Sequence, residues 1–203
     1  FLQTVDTIRS IDKYCPNSIK YIFDTSYEPV NPEYVYALEK MGATFHYCGE
    51  NKDVRTLSDH GQRSLAETLG FIIALGAVKN SGIKAKRFYK MSGRYKLNEN
   101  FVADREDFKD SFVFLPTVNS WMTESHQNFA GVSKIFELRL WHMDASLFDT
   151  FNKEIFEIFE QMQKYHIDVE HAYYKVLNKY KWTTIDPIGL EGVIAPTGEI
   201  INE

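Results

Sequence analysis

Strand and helix patterns alternate along the first half of this 203-residue chain, and that order is the strongest constraint on its fold. Apolar residues at helical spacing predict helices over residues 1–14, 32–41 and 64–80, while short apolar runs predict strands at 19–23, 43–48 and around 88–91. We interpret the polar stretch 49–62 as a loop. Such alternation is typical of right-handed βαβ units, so we expect a parallel sheet with helices on both faces. Because the helical pattern begins at once, we also expect a strand before residue 1.

In the second half of the chain, strand and helix patterns no longer alternate regularly. Strands are predicted at residues 112–115 and 135–143, helices at 146–165 and 169–180, and a loop over the tail 185–203. We therefore predict an α/β protein with a single domain over residues 1–203, in which a mixed central sheet is flanked by helices.

Composition limits the partners and the setting of the chain. The net charge is −5 and no dense run of Lys and Arg occurs, so we expect no nucleic-acid partner. The longest apolar run, residues 71–78, is too short to cross a bilayer. Cys15 and Cys48 lack CxxC spacing, which favours unpaired structural thiols and a reducing, cytoplasmic location.

Residues 87–101, RFYKMSGRYKLNENF, lead from an apolar strand into a glycine turn. Gly93 is expected where a side chain would obstruct the turn, and the cations Lys90 and Arg94 flank it. Because open α/β sheets bind ligands at the carboxyl ends of strands, this pattern predicts an anion site. The alternative interpretation is an ordinary strand and turn with solvated charges.

Carboxylates cluster at the predicted start of the last helix, in Asp168-Val169-Glu170-His171. A carboxylate here suits a general base, although Asp168 also suits an N-cap and Glu170 a first helical turn. His166, Asp168 and His171 form an alternative metal cluster, which lacks a companion motif. The sequence contains no GxSxG, P-loop or GxGxxG, so acyl transfer, NTP hydrolysis and dinucleotide redox chemistry have no motif in their favour.

Four segments, YKMSGRYKLNENF, IFELRLWHMD, DVEHAYYKVL and GLEGVIAPTG, resemble GT-A type nucleotide-sugar glycosyltransferases of bacteria and viruses. The resemblance implies a Rossmann-like GT-A domain that transfers a sugar from a nucleotide-sugar donor to a hydroxyl of a glycan or other acceptor, with inversion. It implies that segment 61–67 lies near the donor, with donor contacts from Asp24, Arg63, Lys90, Ser92, Gly93 and Arg94. It implies Glu170 as the base with Asp168 as second choice, and an acceptor site at His142, Asp144 and His171.

The chain departs from that family at its metal motif. No Asp-x-Asp occurs, and Ser92-Gly93-Arg94-Tyr95 stands in its place. The resemblance therefore implies transfer without a metal or other cofactor, in which Arg94 and Lys90 neutralise the leaving diphosphate. Two other functions stay open: a catalytically inactive GT-A-like module that binds a nucleotide or glycan, and a phosphate-ester enzyme.

Overall fold

A computed structural model describes residues 1–194 and 198–203 and has a mixed α/β architecture. Its α-helices are α1 (Leu2–Tyr14), α2 (Pro32–Lys40), α3 (Lys52–Asp59), α4 (Arg63–Asn80), α5 (Glu124–Ala130), α6 (Phe148–Tyr165) and α7 (Val169–Leu177). Its strands are β1 (Lys20–Asp24), β2 (Ala43–Tyr47), β3 (Arg87–Met91), β4 (Tyr95–Leu97), β5 (Phe112–Phe114), β6 (Val118–Asn119), β7 (Lys134–Ile135), β8 (Leu140–Asp144), β9 (Trp182–Thr184), β10 (Leu190–Val193) and β11 (Ile200–Asn202). The predicted α/β class is confirmed.

The central sheet is mixed, as the sequence predicts, and has the strand order β3-β8-β5-β9. Strand β8 is antiparallel to both of its neighbours, while β9 is parallel to β5, so β3, β5 and β9 run in one direction. Strands β1 and β2 form a separate parallel pair. The expected continuous parallel sheet is therefore wrong for the described residues, because β3 pairs with β8 and not with β1.

Two further antiparallel sheets complete the described part of the chain. One has the order β11-β10-β4, and β6 and β7 form a short ribbon. Cores lie on both faces of the central sheet, and β3 and β8 alternate between them. Phe88 contacts the core formed with α4, α6 and α7, whereas Met91 contacts the other. Lys90, two residues beyond Phe88, therefore points to the helical face, at the end of β3 that leads into the glycine turn.

Three sequence predictions are wrong in part. The supposed loop 49–62 contains α3, which begins because the Asn51 side chain accepts hydrogen bonds from the backbone N–H groups of Asp53 and Val54. The supposed strand 135–143 is split between β7 and β8. The supposed tail loop contains β10 and β11, where Leu190 and Glu203 exchange two backbone hydrogen bonds of 2.7 Å. Residues 195–197 of that tail lie outside the described residues.

The sequence predictions about membrane crossing and about the two cysteines agree with the structure. None of the helices within residues 1–194 and 198–203 is long and apolar enough to cross a membrane. Cys15 and Cys48 are both free thiols, and burial raises the pKa of each. Low thiolate content makes such thiols poor nucleophiles, as expected of structural cysteines.

Candidate functional site

A group of charged side chains lies where β3 leads into its turn, beside α4 and α7. The Lys90 ammonium interacts electrostatically with the carboxylates of Glu67 and Glu170 and with the Arg94 guanidinium, and Glu170 interacts in turn with Asp168. We name these five residues the Lys90 cluster. Burial lowers the pKa of Lys90, and the two carboxylates oppose that effect. The cluster therefore holds a cation that is partly withdrawn from water and partly neutralised.

The start of α7 supplies two of the three carboxylates of the Lys90 cluster, Asp168 and Glu170. Asp168 is the N-cap, as the sequence indicates, because its Oδ1 accepts a hydrogen bond of 3.0 Å from the backbone N–H of His171. Burial is the main cause that raises the pKa of Glu170, and Asp168 raises it further while Lys90 lowers it. A carboxylate with a raised pKa is a stronger proton acceptor, so Glu170 has the chemistry of a general base.

The predicted anion turn at residues 92–95 is closed by a hydrogen bond of 3.1 Å from the Tyr95 backbone N–H to the Ser92 carbonyl. Gly93 is not in the left-handed region, and a Cβ there would lie 3.8 Å from Thr4 Oγ1, an ordinary contact. The expectation that a side chain would obstruct this turn is therefore wrong. Arg94 is exposed and, among the residues described, forms no ion pair. Its guanidinium is free to bind an anion.

The other predicted donor residues lie around the N-terminal half of α4. Arg63 is exposed at the first position of α4, one turn before Glu67. The Asp24 carboxylate accepts hydrogen bonds from the Ser26 backbone N–H (3.0 Å) and hydroxyl (2.7 Å), so it shapes the loop after β1. The same loop packs on α4, since a Cβ at Gly70 would lie 2.2 Å from Thr25 Cγ2. Helix α4 thus connects the end of β1 with the Lys90 cluster.

Two of the predicted acceptor residues, His142 and Asp144, lie on the opposite face of the central sheet from Lys90. His142 is 2% exposed, with its ring between those of Tyr89 and Phe108 at 4.9 and 4.8 Å, and burial lowers its pKa to about 3. It has almost no surface for an acceptor. Asp144 pairs in register with Arg87 at the opposite end of β3 and caps the turn at Ser146. At about 3.3 Å per residue, Arg87 lies about 13 Å along the strand from Met91, where β3 leads into the glycine turn.

The third predicted acceptor residue, His171, adjoins the Lys90 cluster but is fully buried. Its Nδ1 lies 2.6 Å from Asp168 Oδ1, and its Nε2 lies 2.7 Å from the hydroxyl of Ser120. The indole of Trp121, which is 64% exposed, meets the imidazole ring edge to face at 5.0 Å. Ser120 was missed from the sequence because it lies 51 positions from His171, a separation that no local pattern encodes. Glu67, which interacts with Lys90, lies in segment 61–67, the segment that the resemblance implies is near the donor.

The structure offers little support for the alternative metal cluster at the start of α7. Within the described ranges, no group of three or more His, Cys, Asp and Glu side chains could hold a metal ion. Metal independence nevertheless stays a prediction, because a substrate diphosphate can itself supply metal ligands.

Two surface grooves lie elsewhere on the molecule. One, of about 380 Å³, is formed by α2, β2 and the loop before α2. The other, of about 510 Å³, lies between α6 and α7. Neither groove is lined by a residue of the Lys90 cluster.

The chain matches no protein-family model and no curated protein.

Proposed function

We propose that the protein is a GT-A-like glycosyltransferase that moves a sugar from a nucleotide-sugar donor to a hydroxyl acceptor, with inversion and without a metal ion. The observation that carries the proposal is the Lys90 cluster itself. It brings together Glu170, a carboxylate with a raised pKa, the half-buried cation Lys90 and the exposed cation Arg94. Base and anion-binding groups are the two kinds of group that glycosyl transfer needs.

Each group has one step in this reaction. Glu170 accepts the proton of the acceptor hydroxyl as its oxygen attacks the anomeric carbon. The bond from that carbon to the diphosphate oxygen breaks, and the new negative charge stays on the departing nucleoside diphosphate. Arg94 donates planar, bidentate hydrogen bonds to the phosphate oxygens, and Lys90 adds a point charge.

Glu170 is a better candidate for the base than Asp168. Oδ1 of Asp168 already accepts hydrogen bonds from the backbone N–H and from Nδ1 of His171, so this oxygen is committed to capping α7 and to orienting the imidazole. Glu170 is instead less stable as the anion, because burial and Asp168 both raise its pKa. We therefore assign proton removal to Glu170 and orientation of α7 to Asp168.

The first experiment is calorimetric titration of UDP, GDP, CMP and dTDP into the wild type, with EDTA or with Mn²⁺. We expect one nucleotide to bind in EDTA, and Arg94→Ala to weaken it about tenfold or more, because a charge-assisted hydrogen bond contributes roughly 1.5 to 3 kcal/mol. Lys84→Ala is the matched control, since Lys84 is an exposed cation that precedes β3 at its other end. Binding that requires Mn²⁺ and is unchanged by Arg94→Ala would contradict the proposal.

The second experiment separates an enzyme from a binding module. Glu170→Gln should keep nucleotide affinity and lose sugar transfer by about a hundredfold to ten-thousandfold, because the amide keeps the shape and removes the base. Transfer at the wild-type rate would eliminate Glu170 as the base. Nucleotide binding by the wild type without transfer from any donor sugar would favour the inactive GT-A-like module instead.

A further inference from the structure

Asp168, His171 and Ser120 form a continuous hydrogen-bonded series that begins at Asp168 of the Lys90 cluster. His171 Nδ1 lies 2.6 Å from Asp168 Oδ1, and His171 Nε2 lies 2.7 Å from Ser120 Oγ. Because a carboxylate oxygen accepts hydrogen bonds, we assign to His171 the tautomer with its proton on Nδ1. Nε2 is then an acceptor, and the Ser120 hydroxyl donates its proton to it.

Each of the three residues in this hydrogen-bonded series is held in place by further contacts. Asp168 is held as the N-cap of α7, and His171 is fully buried against the edge of Trp121. Ser120 is anchored by a hydrogen bond of 2.9 Å from its backbone N–H to the Ser133 carbonyl. Its Oγ also accepts one of 3.1 Å from the Met122 backbone N–H. A hydroxyl has two lone pairs, so one remains for attack on an electrophile.

We propose that Ser120 is a nucleophile for acyl esters, with His171 as its general base and Asp168 as the residue that orients the imidazole. The geometry fits the arrangement that activates serine in unrelated hydrolase folds, which is recognised by distances and roles rather than by sequence position. The absence of GxSxG therefore does not exclude it. The exposed face of Trp121, the next residue along the chain, suits an ester with an apolar or flat group.

The reaction balances with water as the second substrate. Ser120 Oγ bonds to the carbonyl carbon while its proton moves to His171 Nε2, and the charge of Asp168 stabilises the imidazolium. The carbon–oxygen bond to the alcohol breaks, and the imidazolium returns the proton to that alcohol. Water then attacks the acyl-serine with His171 as base, which releases the acid and restores the hydroxyl.

Labelling with a fluorophosphonate tests the nucleophile directly, because fluoride leaves as Oγ bonds to phosphorus. The full chain is incubated with the probe, digested and mapped by mass spectrometry. We expect one adduct per molecule, on Ser120, and slow turnover of p-nitrophenyl acetate that Ser120→Ala abolishes. The control is Ser125→Ala, since Ser125 is exposed near Ser120 and its Oγ contacts Thr123 rather than a histidine; this variant should label like the wild type.

His171→Gln tests the base and should slow labelling by about a hundredfold to ten-thousandfold. Because His171 is buried, a melting curve must first show that His171→Gln is folded. If this variant does not fold, the position of the fluorophosphonate adduct in the wild-type protein decides whether Ser120 is the nucleophile. An unlabelled Ser120 in the wild type, labelling no faster than at Ser125, or a folded His171→Gln that reacts at the wild-type rate would each overturn the proposal. Nucleotide binding is a separate measurement, so this inference and the proposed glycosyl transfer can fail independently.

Discussion

A double-mutant cycle on Lys90 and Glu170 tests whether the Lys90 cluster is an electrostatic unit. The cycle compares the wild type with Lys90→Met, Glu170→Gln and the double variant. Each single variant leaves the other side chain in its partly buried position with less compensation, while the double variant removes both charges and keeps similar volumes. We therefore expect the double variant to be more stable than the sum of the two single effects predicts.

The size of the coupling follows from how far water reaches the pair. Both side chains are intermediate in exposure, for which an effective dielectric constant of about 20 gives roughly 3 kcal/mol between unit charges about 5 Å apart. For solvent-exposed ion pairs, measured coupling free energies are below about 1 kcal/mol. A partly solvated pair should fall between these limits, so we expect a coupling free energy of about 1 to 2 kcal/mol.

Urea unfolding at pH 7 gives the four free energies of the cycle. Glu67 also interacts with Lys90, but its contribution is common to both sides of the cycle and cancels. Lys79 and Asp149 provide the control cycle, because their ion pair of 2.7 Å is exposed and should couple more weakly. If the effects of Lys90→Met and Glu170→Gln add to within about 0.5 kcal/mol, the two residues are independent and the assigned cluster is wrong.

Two further predictions concern the fold around the site. The pKa of His142 falls from 6.5 to about 3 on folding, so below about pH 6.5 the unfolded chain binds a proton that the folded chain does not. As pH falls from 6.5 towards about 3, the free energy of unfolding therefore decreases by up to about 1.4 kcal/mol per pH unit. His142→Phe should flatten this part of the profile of urea-derived stability against pH. Parallel profiles for the wild type and the variant would contradict the prediction. Gly189→Ala should cost several kcal/mol, because φ is +82° and the new Cβ would lie 2.1 Å from Phe101 Cα. Gly42→Ala, with φ +78° and no atom within 4 Å, should cost only about 1 to 2 kcal/mol; equal melting temperatures for the two variants would contradict the steric argument.

The helices that pack their apolar face on a core were predictable from the sequence, whereas α3 was not. Helix α6 buries Phe151, Ile155, Ile158 and Met162 at helical spacing, and that periodicity is visible in the letters alone. Helix α3 buries only Val54, so its eight residues look like a polar loop. Strands β10 and β11 were hidden for another reason, since their pairing with each other and with β4 depends on contacts distant in sequence.

The candidate site was predictable only where local chemistry decides the role of a residue. The Asp168 cap follows from its position before an apolar periodic segment. The face of a strand does not follow from alternation when both faces of the sheet are covered, and His142 was therefore placed at a surface that is core. Arg87 shows the same limit: its side chain is 5% exposed and forms an ion pair of 2.8 Å with Asp104, although alternation alone cannot distinguish it from a solvated cation.

Asp168 is the one residue that belongs to both proposed chemistries. Its Oδ1 orients His171 towards Ser120, while its negative charge raises the pKa of Glu170. An asparagine here still offers an oxygen for the N-cap but loses the charge that stabilises an imidazolium and strengthens the Glu170 base. Asp168→Asn should therefore slow both fluorophosphonate labelling and sugar transfer, whereas Ser120→Ala removes only the first reaction and Glu170→Gln only the second. Loss of one reaction alone in Asp168→Asn would mean that the carboxylate acts in a single site and that the other assignment is wrong.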